Sequence, residues 1–129
     1  MVNDGLKKKR IEMKLQKHKI IYVDIDGTIC RTPYIYTKKS CQYELAEPIH
    51  ERIHVINELF DAGHTIVYWT ARGAVSEGNY EELTRKQLLE WGAKFTKLLC
   101  GHKPHFDLYI CDKSWNSESF FQYKEHGLP

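Results

Sequence analysis

Two short apolar runs, each followed at once by polar residues, constrain the fold of this chain most strongly. Residues 20–23 (IIYV) and 65–69 (TIVYW) are rich in β-branched and aromatic side chains, which favours strands. The first run has no polar alternation, which is typical of a strand buried on both faces of a parallel sheet. The sequence therefore predicts an α/β protein built on such a sheet.

Two stretches with helical spacing of apolar residues accompany these runs. The inward positions of the first are Ile49, Ile53, Ile56, Leu59 and Phe60. Those of the second are Tyr80, Leu83, Gln87, Leu88 and Trp91. Pro48 suits the first turn of the first helix and Gly63 its end, while Asn79 suits the start of the second and Gly92 its end.

Further strands are predicted over residues 95–99 and 108–111, separated by a turn at residues 101–104. Strands that alternate with helices favour right-handed crossovers and a Rossmann-like three-layer sandwich with a parallel sheet. In such sheets ligands bind beyond the carboxyl ends of the strands. Four polar residues come directly after predicted strands and should meet at one edge: Asp24, Asp26, Thr70 and Asp112.

The chain length of 129 residues suits a single domain, which we place at residues 19–129 after a basic N-terminal extension, residues 1–18. Seven Lys or Arg residues lie between Lys7 and Lys19 and account for the net charge of +2. Such an arm can touch nucleic acid or an acidic partner, but a solvated, frayed leader is the favoured interpretation. Nucleic acid is therefore not an expected partner.

The sequence predicts a cytoplasmic protein without a membrane partner. No apolar run reaches the roughly 18 residues that a membrane span needs, and no apolar stretch with a cleavage site follows the charged N-terminus. The four cysteines, Cys30, Cys41, Cys100 and Cys111, form no C-x-x-C pattern. We expect reduced, mostly buried thiols.

Asp24 and Asp26 lie two residues apart at a predicted strand end and are followed by Gly27 and Thr28. Gly27 allows a sharp turn that brings amide groups close to an anion, so the segment suits phosphate. Two carboxylates this close repel each other unless they share a cation or one keeps a proton. Taken alone, the pattern also fits a fragment of a calcium loop or a plain turn.

The segment Asp24-Ile25-Asp26-Gly27-Thr28 resembles the first motif of the haloacid dehalogenase (HAD) superfamily, whose members are mostly phosphatases. Thr70 is similar to the second motif, Lys103 to the third, and Asp112, within DLYICDK, to the acidic fourth. The resemblance spans roughly residues 19–116. Four motifs in the right order are more specific than any one of them, and they imply a HAD-like core.

The resemblance implies a role for each motif residue. Asp24 is expected to attack phosphorus and form a phospho-aspartate, and Asp26 to act as general acid and then general base. Thr70 is expected to bind a phosphoryl oxygen, and Lys103 to neutralise the transferring group.

The resemblance also implies a cofactor and a set of substrate contacts. Mg²⁺ would be held by Asp24, Asp112 and the backbone carbonyl of Asp26. Contacts with the substrate are expected from Gly27, Thr28, Ala71 and Arg72. For Arg72 two interpretations stay open, contact with the substrate phosphate or an ion pair on the surface.

Cys111 departs from the pattern, because related sequences often have two adjacent Asp residues at the fourth motif. This leaves open which acid binds the metal, and Asp107 lies nearby. His102 and His105 flank Lys103 without a metal-ligand pattern, so surface or supporting roles are expected for them.

The chain resembles HAD members without a cap domain, since only residues 27–69 and 71–102 separate the motif residues. A flap at residues 31–46, an oligomeric neighbour or a bulky substrate would have to exclude water from the site. The flap tyrosines could stack on a sugar ring or pack against the protein, with packing favoured.

Among capless members the sequence is most similar to small phosphatases of bacterial capsule and surface-polysaccharide biosynthesis, through DIDGTIC, TARG and QLLEWG. This similarity implies a small phosphorylated sugar or polyol as the substrate, with nucleoside monophosphates or polynucleotide ends as alternatives. A catalytically weak domain that binds a phosphorylated ligand or a partner enzyme is the competing hypothesis.

Overall fold

The computed structural model describes residues 17–73 and 80–123, which form a mixed α/β fold. The strands are β1 (Ile20–Val23), β2 (Cys30–Arg31), β3 (Tyr34–Ile35), β4 (Ser40–Cys41), β5 (Glu47–Pro48), β6 (Thr65–Thr70) and β7 (Lys97–Cys100). The helices are α1 (His50–Asp61), α2 (Glu81–Glu90) and α3 (Ser117–Gln122), and a 3-10 turn spans Tyr43–Leu45.

A three-stranded parallel sheet in the order β1-β6-β7 forms the centre of the fold. Ile20 pairs with Thr65 and Val23 with Tyr68, while Thr70 pairs with Cys100 on the other side of β6. The prediction of a parallel sheet is therefore confirmed. Because the strands run in one direction, the residues after β1 and at the end of β6 lie at the same edge of the sheet.

In the described part of the chain, β1 pairs with β6 alone, and one of its faces is open to solvent. The prediction that β1 is buried on both faces is therefore wrong. Ile20 is 67% exposed and Tyr22 is 54% exposed. The predicted strand at residues 108–111 is also wrong, because these residues form no strand and Leu108 and Ile110 are 76% and 88% exposed. A short apolar run cannot reveal which of its faces another part of the chain covers.

Both predicted long helices are present, with small changes at their ends. Pro48 lies in β5 and precedes the first helix instead of opening it, since Ile49 is the residue that caps α1. Tyr80 caps α2, and the predicted cap Asn79 lies outside the described residues. Gly63 follows α1 with a φ of +100°, and Gly92 follows α2 with a φ of +74°. Both adopt the left-handed conformation that ends helices.

One hydrophobic cluster joins the sheet to α1 and α2. Ile53, Ile56 and Leu59 from α1 meet Ile66 and Tyr68 of β6 in this cluster, and Leu88 contributes from α2. The basic extension lies outside the described residues except for residues 17 and 18. No helix in the described part of the chain is long and apolar enough to cross a membrane.

The flap predicted at residues 31–46 is a small antiparallel structure. β2 pairs with β5 at its base, and β3 pairs with β4 to form a hairpin towards its tip. Lys39 in the hairpin turn has a φ of +49°. The base begins six residues after Asp24, so the flap is attached directly to the turn that carries the two carboxylates.

The four cysteines are free, but only Cys30 is buried. The others are partly exposed, so the expectation of mostly buried thiols is wrong for three of the four.

Candidate active site

Asp24 follows β1 and is bound by two donors from different parts of the chain. Lys103 Nζ lies 3.0 Å from Asp24 Oδ1 although the residues are 79 positions apart. Thr28 Oγ1 donates to Asp24 Oδ2 at 2.9 Å. The Asp24 side chain is 39% exposed and the Lys103 side chain 14% exposed. The carboxylate is therefore oriented by its neighbours but still open to solvent.

Two aromatic rings hold the ammonium group of Lys103. Its Nζ lies 5.2 Å from the ring centroid of Trp69 and 5.7 Å from that of Phe106. Attraction between the cation and the ring faces restricts the side chain and shields it from water. Trp69 in β6 thus helps to direct Lys103 towards Asp24.

Asp26 is held by a two-point ion pair with Arg72. Arg72 Nε donates to Oδ2 at 2.9 Å and Nη2 donates to Oδ1 at 2.8 Å. Thr32 Oγ1 also donates to Oδ1, and Cys30 Sγ lies 3.7 Å from the same oxygen. These contacts engage both carboxyl oxygens of Asp26, so the protein fixes the orientation of the group.

The guanidinium of Arg72 is buried and bonded on its other side as well. Its Nη1 donates to Gln87 Oε1 at 2.6 Å and to Thr84 Oγ1 at 3.2 Å, both on α2. The ring centroid of Tyr43 lies 4.8 Å from its central carbon. Burial opposes the charge, but hydrogen bonding and attraction to Asp26 outweigh it and raise the pKa of Arg72. Arg72 is therefore a charged residue of the interior.

This position contradicts one of the two interpretations of Arg72 offered by the sequence. The side chain is 0% exposed, so it does not form an ion pair on the surface, and its nitrogens are engaged by protein groups. The predicted contact with a substrate phosphate stays a prediction. Arg72 N–H donates to Thr70 Oγ1 at 3.2 Å. The residue fills the space behind Asp26.

The turn that follows Asp24 bonds mainly to itself. Gly27 has a φ of +83°, which favours glycine, and its N–H donates to the Cys30 carbonyl at 2.9 Å. Thr28 N–H donates to the Ile25 carbonyl at 3.0 Å. These two amides are thus taken up by the turn in this arrangement, and the predicted contacts of Gly27 and Thr28 with a substrate stay predictions.

Cys30 packs beneath the carboxylates in this turn. Burial is the main cause that raises the pKa of its thiol to about 11. The thiol is therefore protonated at neutral pH and is a poor nucleophile.

Thr70 lies at the end of β6, one strand away from Asp24, and is only 1% exposed. Among the described residues, no hydrogen bond joins it to Asp24 or Lys103. Ala71 is partly buried at the start of the next turn. Their predicted contacts with a phosphate stay predictions.

Asp112 lies in a turn and not at the end of a strand. It is exposed, and it lines a groove of about 680 Å³ beside β1 together with Thr28 and Trp115. In the described ranges, no group of three Asp, Glu, His or Cys side chains is placed to hold a metal ion. The ligand set that the resemblance implies takes only the backbone carbonyl of Asp26 beside the carboxylates of Asp24 and Asp112, and it stays a prediction.

The chain's own cations compensate the charges of the two neighbouring carboxylates. Lys103 pairs with Asp24, and Arg72 pairs with Asp26. Each cation approaches from a different loop, so the two carboxylates point to different partners. The two ion pairs thus offset the repulsion expected from the sequence.

Several residues of the site were missed from the sequence, notably Thr32, Tyr43, Trp69 and Gln87. Gln87 carried a usable signal, because it is a polar residue at an inward position of a helix that is otherwise apolar there. Buried polar groups need partners, so an inward glutamine indicates a polar partner in the interior. Tyr43 and Thr32 carried no such signal.

No protein-family model and no curated protein matches this chain. The crystal structure of a target protein from Vibrio cholerae is similar, with a TM-score of 0.64 and 22% sequence identity. The match covers 85% of this chain and 94% of that chain. Identity at this level shows a shared fold alone.

Proposed function

We propose that this protein is a phosphomonoester hydrolase of the HAD type, with a HAD-like core, that works through a phospho-aspartate on Asp24. The pairing of Lys103 Nζ with Asp24 Oδ1 at 3.0 Å carries the proposal. It joins two of the four motifs across the chain, and a third motif residue, Thr70, ends the neighbouring strand.

The chemistry of these side chains supports the two steps of such a reaction. Asp24 attacks phosphorus while the bond to the alcohol breaks, and Lys103 stabilises the negative charge of the transferring group. Asp26 supplies a proton to the leaving alcohol. It then takes a proton from the water that cleaves the acyl phosphate, which restores Asp24 and releases phosphate.

A divalent cation, Mg²⁺, is part of the proposal through the family resemblance alone. Asp24, Asp26 and Asp112 would hold it, and it would neutralise charge on the phosphoryl group. The roles given above to Asp24, Asp26 and Lys103 are those of the side chains themselves, and the cation would add to the charge that Lys103 supplies.

We further propose that the substrate is a small sugar or polyol phosphate of surface-polysaccharide biosynthesis, hydrolysed in the cytoplasm. Two exposed flap tyrosines support a hydroxylated ligand, since Tyr34 is 45% and Tyr36 is 83% exposed. The free cysteines suit a reducing compartment.

A panel of phosphate esters assayed with Mg²⁺ and with EDTA tests the proposal. We expect hydrolysis that EDTA abolishes and that Asp24→Asn lowers by at least about 1,000-fold, because an amide cannot attack phosphorus. Circular dichroism and thermal unfolding should show that the variant is folded. Wild-type turnover by Asp24→Asn would refute the assignment of the nucleophile.

A catalytically weak domain that binds a phosphorylated ligand is the second candidate. Cys111, which stands where related sequences often have an Asp residue, favours it. In that case, phosphorylated sugars should raise the melting temperature of the protein without being hydrolysed.

A further inference from the structure

We propose that Arg72 is a positioning residue that fixes the orientation of the Asp26 carboxyl group for the second half of the reaction, and that Gln87 ties this pair to the flap. The inference rests on the proposed function. It assigns a task to a buried arginine that lies behind the reacting groups and does not touch the substrate.

Two parallel hydrogen bonds fix the plane of the Asp26 carboxylate. Arg72 Nε and Nη2 reach different oxygens, at 2.9 Å and 2.8 Å. A fork of this kind prevents rotation about the last side-chain bond, which a single donor would permit. The Asp26 side chain nevertheless stays 24% exposed, so water can reach it.

The rest of the guanidinium is anchored so that the fork itself cannot turn. Gln87 accepts from Arg72 Nη1 at 2.6 Å through its oxygen, and its amide nitrogen donates to the Tyr43 carbonyl at 2.7 Å. The Tyr43 ring covers the guanidinium. One amide side chain thus connects α2, the buried cation and the flap.

The fixed orientation of the Asp26 carboxyl group matters more for one half of the proposed reaction than for the other. When water attacks the phosphorus of phospho-Asp24, one of its protons passes to Asp26 as the bond between Asp24 and phosphorus breaks. Asp26 must be unprotonated and correctly aimed at that moment. The first half differs, because a good leaving group such as p-nitrophenolate departs without a proton from Asp26.

The Arg72→Lys variant tests this with p-nitrophenyl phosphate in stopped flow. Lysine keeps the charge but has no fork, so we expect release of p-nitrophenol to stay fast in the first turnover. Hydrolysis of phospho-Asp24 should slow on the order of 10-fold to 100-fold, which reaches only the lower end of the usual contribution of a general base because Asp26 itself is kept. Each active site should therefore release one p-nitrophenol in a rapid burst. The phosphorylated protein that accumulates should be detectable by intact-protein mass spectrometry. The steady-state KM of Arg72→Lys should not rise above that of the wild-type protein.

Arg85→Lys is the matched control, because Arg85 lies on α2, the helix that carries Gln87, and forms an exposed ion pair with Glu81. It should show the kinetics of the wild-type protein. Gln87→Leu keeps the pair with Asp26 but loosens its anchor, so it should slow the second phase less than Arg72→Lys does. If Arg72→Lys does not fold, Gln87→Leu provides the test of the proposal.

Equal slowing of both phases in Arg72→Lys, or a rise in KM without a burst, would show that Arg72 only supports the fold. Unchanged phases in Gln87→Leu would overturn the proposed link to the flap and, with Arg72→Lys unfolded, the proposal as a whole. If the wild-type protein releases no p-nitrophenol with or without Mg²⁺, the proposed function itself fails.

Discussion

Asp24 and Asp26 are only two residues apart, yet their surroundings give them different properties. Asp24 is the more exposed of the two and meets a lysine, whereas Asp26 meets a buried arginine. A lysine offers a point charge on a flexible chain, while an arginine offers a rigid fork. Asp24 is thus left freer to react, and Asp26 is held in one orientation.

The fourth motif is tested best at its two neighbouring residues. If Asp112 binds Mg²⁺ in the working enzyme, Asp112→Ala should raise the Mg²⁺ concentration for half-maximal activity by about 10-fold or more. Cys111→Ala should hardly change it. The shift of the melting temperature with Mg²⁺ gives a second measure that does not depend on turnover. The reverse ranking would move the metal ligand away from Asp112.

His64 should make stability depend on pH. It is 4% exposed, its Nδ1 accepts from Lys19 N–H at 3.0 Å, and its Nε2 has no partner among the described residues. Burial, and then the neighbouring charges of His18 and Lys19, lower the pKa of His64 below its ordinary value of 6.5. The unfolded chain therefore binds a proton at a pH where the folded protein does not.

The free energy of unfolding should accordingly fall as the pH decreases below about 6.5, until the lower folded pKa is reached. Urea unfolding between pH 7.5 and 5 measures this. His64→Gln keeps an acceptor for Lys19 and should flatten the dependence. An equal slope in both proteins would assign the effect to other groups, such as His18.

At the level of elements, the tyrosines of the flap fall into two groups, one packed against the protein and one exposed to solvent. Tyr43 packs on Arg72 and also against Tyr80, with ring centroids 5.1 Å apart. Tyr34 and Tyr36 contact each other edge to face at 4.9 Å on the hairpin and stay exposed. The expectation that the flap tyrosines pack against the protein is therefore correct for Tyr43 and wrong for Tyr34 and Tyr36.

Specificity should reside in the exposed part of the flap, because the core residues meet only the phosphoryl group that all esters share. Replacing Tyr34, Tyr36 and Lys38 with Ala should lower kcat/KM for the best sugar or polyol phosphate by about 10-fold or more. The value for p-nitrophenyl phosphate should hardly change.

Tyr43→Ala is the contrasting variant, since it removes the ring that covers Arg72. It should lower kcat for both substrates. If the triple variant lost activity equally on both, the hairpin would serve closure of the site, and selection would have to come from another surface such as an oligomeric neighbour.

At the level of the whole molecule, the hydroxyl of Tyr68 is a polar group within the described part of the hydrophobic core. Tyr68 in the central strand is 0% exposed and packs edge to face on Phe95, with ring centroids 5.9 Å apart. Its hydroxyl has no hydrogen-bond partner within the part of the chain that the structure describes. Burial raises the pKa of this hydroxyl, so it stays neutral. An unpaired buried hydroxyl costs stability.

Tyr68→Phe should therefore leave the free energy of unfolding unchanged or raise it by up to about 1 kcal/mol. Tyr68→Leu removes the ring contact as well and should lower it by about 2 kcal/mol. Chemical denaturation of the three proteins compares them. Clear destabilisation by Tyr68→Phe would show that the hydroxyl has a partner in solution.

The sequence by itself determined the elements whose signal is local. The β-branched runs gave β1 and β6, and apolar spacing with a terminal glycine gave α1 and α2, because these patterns act within a few residues. The parallel direction followed from the helices that lie between the strands. Since strand ends of a parallel sheet share an edge, Asp24 and Thr70 could be placed at the same edge of the sheet.

Only the tertiary structure decided what depends on contacts between distant segments. A short apolar run does not show which segments will pack beside it. The open edge of β1 and the lack of a strand at residues 108–111 could therefore not be predicted, and neither could the position of Asp112. The interior position of Arg72 was equally hidden, because Asp26, Gln87 and Tyr43 together make burial of its charge favourable. Partners brought together from three separate segments leave no local pattern in the sequence.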